Sequence, residues 1–359
     1  MSNPNNLTNP AVSASGEALT LLIERFNNKV HEQYLKGENL TSHFMVESVT
    51  GTNTVSNKYI GETEIQVLSP GKSPDATDTE FDKNALTIDT QILARNTVAQ
   101  LHDVQNDIAG LNSKLAMNQA KQIKKMEDSM ILQQLVLGGT SNTQAIRTTP
   151  RVAGHGFSIH IKGQMSSFMS SPQYAMAALE LAMEKQIEQE VDTNELRGLL
   201  RWDFFNSLRD ADRIVDSNYE LAQGNTVSGF ALKSWNLPVV PSNRFPKLAD
   251  NIIDGHHPLS NANNGNRYDV TAPQVNAVAV MFTRDALLVG KTIELYSDIF
   301  YFKNNKTWYI DTSIAEGAIP DRWEACAVVT GEADGSAATD HAAILARANR
   351  KVIQTKAIV

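Results

Sequence analysis

Polar and small residues fill the first fourteen positions, MSNPNNLTNPAVSA, and leave almost nothing apolar to bury, so they predict a disordered arm. A helical period begins directly after it. Ser13 or Ser15 can cap the first turn and Glu17 suits it, while Leu19, Leu22, Ile23, Phe26, Val30 and Tyr34 share one face until Gly37. From Met45 to about Val104 the pattern changes. Tyr59 and Ile65-Gln66-Val67 lead into Leu68-Ser69-Pro70-Gly71, and a polar stretch runs from Lys72 to Asp82. Ala85 to Ile92 then alternates with period two, placing Leu86, Ile88 and Ile92 on one face. The pattern predicts a long hairpin with a wide, charged, flexible end. Its first arm carries too few apolar residues for a core of its own, so it must rest on its own domain or on a neighbour. The longest helix follows, from about Val104 to Leu137. Val104, Ile108, Leu111, Leu115, Ile123, Met126 and Met130 repeat at helical spacing, and Lys121, Lys124, Lys125, Glu127 and Asp128 take the other face as a solvated side. This is a rod of roughly 45 to 50 Å, stopped by Gly138-Gly139.

The second half mixes shorter elements. Phe157 to Ile161 alternates as a strand. Ser171 caps a helix with Pro172 at its first position and a stripe of Met176, Leu179, Met183 and Ile187. A short strand near Leu199, Leu200 and Trp202 precedes a short helix from Phe204 to Leu208. Val227 to Val240 reads as strand, turn, strand, and residues 241–269 as a long Asn/Gly/Pro loop. Val275 to Phe282 is apolar enough to be buried on both faces. Ile299 to Ile310 and Ala325 to Val329 add strands, and Thr339 to Val359 a helix with Arg347, Arg350, Lys351 and Lys356 towards its C-terminal end. There is no internal repeat and no clean linker. The order is arm, hairpin, long helix, then mixed α+β.

Composition narrows the function. The chain has 359 residues, 42% hydrophobic and 20% charged, which are globular values. Its net charge of −8 argues against tight, global nucleic-acid binding and leaves room for local basic patches. The one cysteine, Cys326, allows no intrachain disulfide and reads as a buried strand residue. The polar start is not that of a signal peptide, and no apolar run approaches the roughly 20 residues that span a bilayer. Two stretches imitate nucleotide-binding loops. Gly71-Lys72-Ser73 has Gln66 where a phosphate-binding loop needs its first glycine, and Pro74, Asp75 and Asp78 follow as turn chemistry. Gly290-Lys291-Thr292 has Asp285 at that place. His256-His257 lack the partners of a metal site, and there is no G-x-S-x-G or H-E-x-x-H. Glu184, Glu188, Asp192 and Glu195 read as a solvated face. No acid, base and nucleophile come together, so neither an enzyme nor a cofactor is expected.

The collinear set HFMVESV (43–49), YIGETEIQVLSPGKS (59–73), ALTIDTQILARNTVAQLHDVQND (85–107), NLPVVPSNRFP (236–246), RDALLVGKTIELYSD (284–298) and ACAVVTG (325–331) resembles the major capsid proteins of tailed double-stranded DNA phages, the short-tailed podovirus type above all. The resemblance covers about 45 to 330, with Thr87-Ile88-Asp89 and His102-Asp103-Val104 at recurring positions. It implies an α+β, Hong Kong 97-like capsid fold with an N-terminal arm (1–45), an extended β-hairpin loop and the start of the peripheral domain (46–104), a long spine helix (105–140), an axial domain (141–270), peripheral-domain strands returning to the axial domain (271–330) and a tail helix (331–359). It further implies self-assembly as hexamers and pentamers into an icosahedral head in the host bacterial cytoplasm. The implied partners are a scaffolding protein, a portal protein, in some cases a decoration protein, and packaged double-stranded DNA held by weak internal contact, with no membrane. The extended loop, with Leu68, Pro70, Gly71, Lys72, Leu86, Ile88 and Asp89, is implied to lie across a neighbouring subunit. Lys121, Lys124, Lys125, Arg350 and Lys351 are candidates for contact with DNA or a neighbour. Lys58, Lys72 and Lys83 lie on the loop without a residue-level match to the crosslinking set of some relatives. The alternatives are an encapsulin compartment on the same fold and a nucleotide-dependent enzyme.

Overall fold

The computed structural model describes residues 28–30, 40–60, 65–67, 70–71, 81–100, 108–140, 157–210, 214–220, 226–232, 237–333 and 337–356. The arm at 1–14 and most of the helix expected up to Gly37 lie outside them. Residues 28–30 are helical, and Val30 is fully buried. A 3₁₀ turn, Leu40–His43, leads into strand β1 (Val46–Ser48). Strands β2 (Thr54–Ile60) and β3 (Phe81–Thr87) form the hairpin, and β4 (Ile92–Ala99) leads to helix α1 (Ile108–Thr140). Then come β5 (Ile159–Gln164), α2 (Met165–Ser170), α3 (Pro172–Glu188), β6 (Arg197–Arg201), α4 (Trp202–Asp210), β7 (Ile214–Glu220), β8 (Thr226–Leu232) and β9 (Pro238–Ser242). The chain closes with β10 (Ala277–Phe282), β11 (Leu287–Phe302), β12 (Thr307–Pro320), β13 (Cys326–Glu332) and α5 (His341–Lys356).

Two sheets share α1. A seven-stranded mixed sheet runs β5-β13-β10-β6-β9-β8-β7, and a four-stranded sheet runs β1-β11-β12-β4. One core lies between the seven-stranded sheet, α3, α4 and α5, from Phe168 and Leu179 to Ile344. A second core joins α1 to both sheets, with Met130, Leu135 and Val136 against Val280, Val328, Val289 and Ala318. Strand β10 is buried at every position because it lies between these two cores, as its unbroken apolar run requires. Ser171 caps α3 by accepting from the Tyr174 amide, with Pro172 opening the helix.

Several expectations change. The strand expected through Ile92 ends at Thr87, and β4 joins a different sheet. The segment from Ile299 to Ile310 is not one strand but the turn of a long hairpin, β11 and β12. Ile187 sits on the solvent side of α3, 46% exposed. The helix does not stop at Gly138-Gly139 but runs to Thr140. Those glycines serve close approach instead. A Cβ at 138 would lie 3.1 Å from Cys326 Sγ, and one at 139 would lie 2.3 Å from Val328 Cγ2. Cys326 is buried beneath this contact, and burial pushes its thiol well above the ordinary range.

Gly139→Ala forces Val328 or the helix to move. Overpacking of this kind costs about 1–3 kcal/mol, so the purified variant should melt several degrees below wild type in a thermal scan.

Candidate assembly interface

The hairpin formed by β2 and β3 leaves the body of the chain at the four-stranded sheet, and its base is tightly fixed. Leu86 and Ile88, 1% and 7% exposed, pack with Val49 and Val55 onto Leu288, Ala315 and Ile319. The floor beneath them is a cross-strand glycine pair, Gly290 and Gly317. A Cβ at 290 would meet Ile88 and Leu86 at 3.1 and 3.2 Å, and one at 317 would meet Leu86 at 3.2 Å. Only glycine leaves room for two branched side chains to sink onto the strands. This explains Gly290-Lys291-Thr292 as sheet rather than phosphate loop. The facing pair Asn57 and Asn84 adds a polar clasp. Asn57 donates to Asp321 at 2.8 Å, and Asn84 donates to the Pro320 carbonyl at 2.8 Å and to Asp321 at 3.2 Å.

The next residues along the strands point the other way, into α1. Lys291 Nζ lies 3.0 Å from Glu127 and 3.2 Å from Glu316, its cross-strand partner. Lys124 Nζ lies 3.2 Å from both Glu127 and Asp128. The 3₁₀ turn joins the cluster: the Thr41 hydroxyl donates to Glu127 at 2.5 Å and the Leu40 amide to Asp128 at 3.3 Å. Lys124, Glu127 and Asp128 therefore do not form a solvated face; they are 3%, 0% and 0% exposed. The reason is that α1 passes between the two sheets here and turns these three side chains into the interior, while Lys125 beside them stays exposed. Burial pushes the Glu316 carboxyl up to about 8, and the charge of Glu127 adds to the rise while Lys291 opposes it. Burial likewise pushes Asp128 up to about 6, with Lys124 opposing. Burial alone would lower Lys291, but Glu316 and Glu127 outweigh it and hold the ammonium above its usual range. Two ammonium groups, Lys291 and Lys124, face three carboxyl groups, Glu127, Asp128 and Glu316, so one bound proton balances the charge of the cluster.

The hairpin base covers only half of its side of the sheet. Further along the same side of β11, β12 and β4, Tyr296 (58%), Phe300 (37%), Phe302 (45%) and Leu93 (49%) are exposed. Phe300 stacks on Tyr309 at 5.3 Å. The Arg95 guanidinium lies 5.8 and 5.5 Å from the centres of these two rings. Asp311 accepts from it twice, at 2.7 and 2.5 Å. This is a charge-neutralised aromatic surface of the composition that anchors protein interfaces. At the hairpin's far end, Ile65 and Val67 are 95% and 91% exposed, and Pro70-Gly71 form a turn with Gly71 at φ +81°.

Of the loop residues singled out in the sequence, Leu86 and Ile88 hold the hairpin to its own sheet, and Pro70 and Gly71 are exposed at the turn. Asp89 accepts from Asn261 at 2.8 Å, and Leu68 and Lys72 lie outside the described residues. Lys121, Lys125 and Arg350 are exposed, while Lys351 lies in α5. The His pair is used within the fold. His256 pairs with Asp269 at 2.5 Å, and buried His257 accepts from the Leu259 amide at 3.2 Å. The clasp, the ion cluster and the aromatic surface escaped sequence reasoning. A Gly on each of two facing strands, each beside a charge of opposite sign, was the available signal for the first two.

No family model matches the chain, and no curated protein matches it. Solved structures do match. The mature capsid of bacteriophage PhiM1 aligns with TM-score 0.62 at 16% identity, covering 82% of this chain and 90% of that one. The capsid of cyanophage P-SCSP1u aligns with TM-score 0.62 at 13% identity, covering 81% and 87%. The chain has the Hong Kong 97-like capsid fold. A virus-like particle from Pyrococcus furiosus also aligns with this capsid fold, with TM-score 0.50 at 13% identity over 86% and 99%.

The pH dependence follows from Glu316. Its proton is bound more tightly in the folded chain than in the unfolded one, so raising the pH from about 4.5 to about 8 favours unfolding. Asp128 acts with the same sign. Glu316→Gln keeps the neutral form. The melting temperature of wild type minus that of the variant should therefore fall between pH 5 and pH 8 and level off above; a flat difference would contradict the assignment.

Proposed function

We propose that the chain is the major capsid protein of a tailed double-stranded DNA phage, assembling as hexamers and pentamers into the icosahedral head of the virion. The observation that carries this reading is the capsid fold combined with a hairpin fixed at its base and bare at its end. Its exposed apolar residues at 65 and 67 are two apart, so in an extended segment they point the same way. The half-covered sheet offers a surface to receive them. In this reading the hairpin of one subunit lies on the Phe300–Tyr309 surface of the next, continuing the layer that each subunit's own hairpin base begins. Such contacts are heterologous, and they close into rings when the rotation between copies permits. Assembly with a scaffolding and a portal protein in the host cytoplasm, and addition of a decoration protein, belong to the same proposal, as does the podovirus type. The chain encloses the genome as a shell, and no catalytic role is assigned to it.

The fit to the Pyrococcus virus-like particle supports a second reading, an encapsulin-type compartment. Electron microscopy of the purified chain separates the two. Capsomers, tubes or partner-dependent shells support the phage head; closed, uniform shells from the chain alone support the compartment; a monomer under all conditions, with and without scaffold, contradicts both.

Ile65→Asp combined with Val67→Asp tests the docking. Both residues are almost fully exposed, so the folded monomer should keep its stability within about 0.5 kcal/mol, while the yield of assembled particles in sedimentation should fall at least tenfold.

A further inference from the structure

The first half of α1 has two unlike sides. Ala116, Gln119, Ala120 and Ile123 are buried on one, with Gln119 donating to the Ile310 carbonyl at 2.9 Å. The other side exposes Lys114, Met117, Asn118, Lys121, Gln122 and Lys125. It carries three cations and no acid. The acids of this helix, Glu127 and Asp128, are buried and matched by Lys124 and Lys291. Among the described residues none of the three exposed ammonium groups makes an ion pair. In a chain of net charge −8, this is a local positive stripe along one side of a helix.

We infer that Lys114, Lys121 and Lys125 form a phosphate-contacting stripe by which the exposed side of α1 lies against packaged double-stranded DNA. The inference rests on the capsid reading and gives the subunit an orientation, with α1 inward and the aromatic surface of the sheet away from the genome. The three lysines span about 16 Å along the helix, enough to follow several successive phosphates. Their company is Asn118 and Gln122, polar side chains that also bond phosphate oxygens without reading sequence. A protein partner would want buried aromatic or Arg anchors, and lysine-rich surfaces are poor in them. Flexible point charges suit a duplex that must slide past every subunit during packaging.

The test uses the full-length chain, a random duplex of about thirty base pairs and fluorescence anisotropy across a salt series. Each phosphate contact contributes about −0.9 to the slope of log K against log salt, so K114Q/K121Q/K125Q should flatten the slope by about 2.7 and weaken binding at about 20 mM KCl at least tenfold. Lys303 and Lys306, also exposed, lie on the turn between β11 and β12, and K303Q/K306Q should leave both unchanged. An unchanged slope in the triple variant, an equal loss in the control, or no duplex binding by wild type overturns the stripe. So does a triple variant that binds duplex normally but no longer assembles, since the stripe would then face a neighbouring subunit. Electron microscopy of the same preparations reads the capsid proposal separately: wild type that never assembles, with or without scaffold, but shows the expected slope difference contradicts the capsid reading and leaves the stripe standing.

Discussion

The architecture depends on one buried contact, the approach of Lys291 and Glu316 on the sheet to Glu127 on α1. An isolated charge in such a place would cost several kcal/mol, and breaking a buried pair by removing one partner typically costs about 3–5 kcal/mol. The helix cannot slide or rotate against the sheet without separating these groups. Apolar packing alone, as between Leu135 and Val280, is less demanding of register. The ion cluster fixes which turn of α1 meets which pair of sheet residues. It also fixes the entry of the chain, because Thr41 and Leu40 bond to the same carboxylates.

Position 290 and its neighbour 291 divide the work between the two sides of the sheet. The glycine admits the hairpin and the lysine holds the helix, and residues 317 and 316 repeat the division on the facing strand. The long helix and the long hairpin are thereby anchored back to back on two adjacent rungs of the sheet. The remaining sheet surface carries the Arg95, Phe300 and Tyr309 stack, held by Asp311. Side chains already held to one another by a ring stack and a twofold ion pair lose less freedom when a partner docks on them.

Much of this order was legible in the sequence. Period-two alternation placed Leu86 and Ile88 on one buried face, and Ser171-Pro172 marked the start of α3. The unbroken apolar run of β10 announced a strand covered on both sides. What escaped notice had physical causes. Strand β11 changes register between Lys291 and Ile293 and again before Tyr296, which scrambles its alternation. Lys124, Glu127 and Asp128 have the i, i+3 and i, i+4 spacing of ordinary surface pairs, and only the second sheet turns that surface into an interior. A double glycine usually ends a helix; at 138 and 139 the need for space beside Cys326 and Val328 outweighed that preference. Lys114, Lys121 and Lys125 carry the charge pattern of Lys124, and burial alone separates their roles.

The glycine floor beneath Leu86 and Ile88 has a mechanical consequence. A floor without side chains resists sinking but offers no teeth against small rotations. The Asn57–Asn84 clasp ties the hairpin to the body, and the paired strands beyond it, Lys58 to Ile60 against Phe81 to Lys83, reach about 10 Å from that pivot. A tilt of about ten degrees at the clasp moves the end of these strands by about 2 Å over that length. In the proposed shell this compliance lets one sequence meet neighbours at more than one angle while its cores and its ion cluster keep a single geometry.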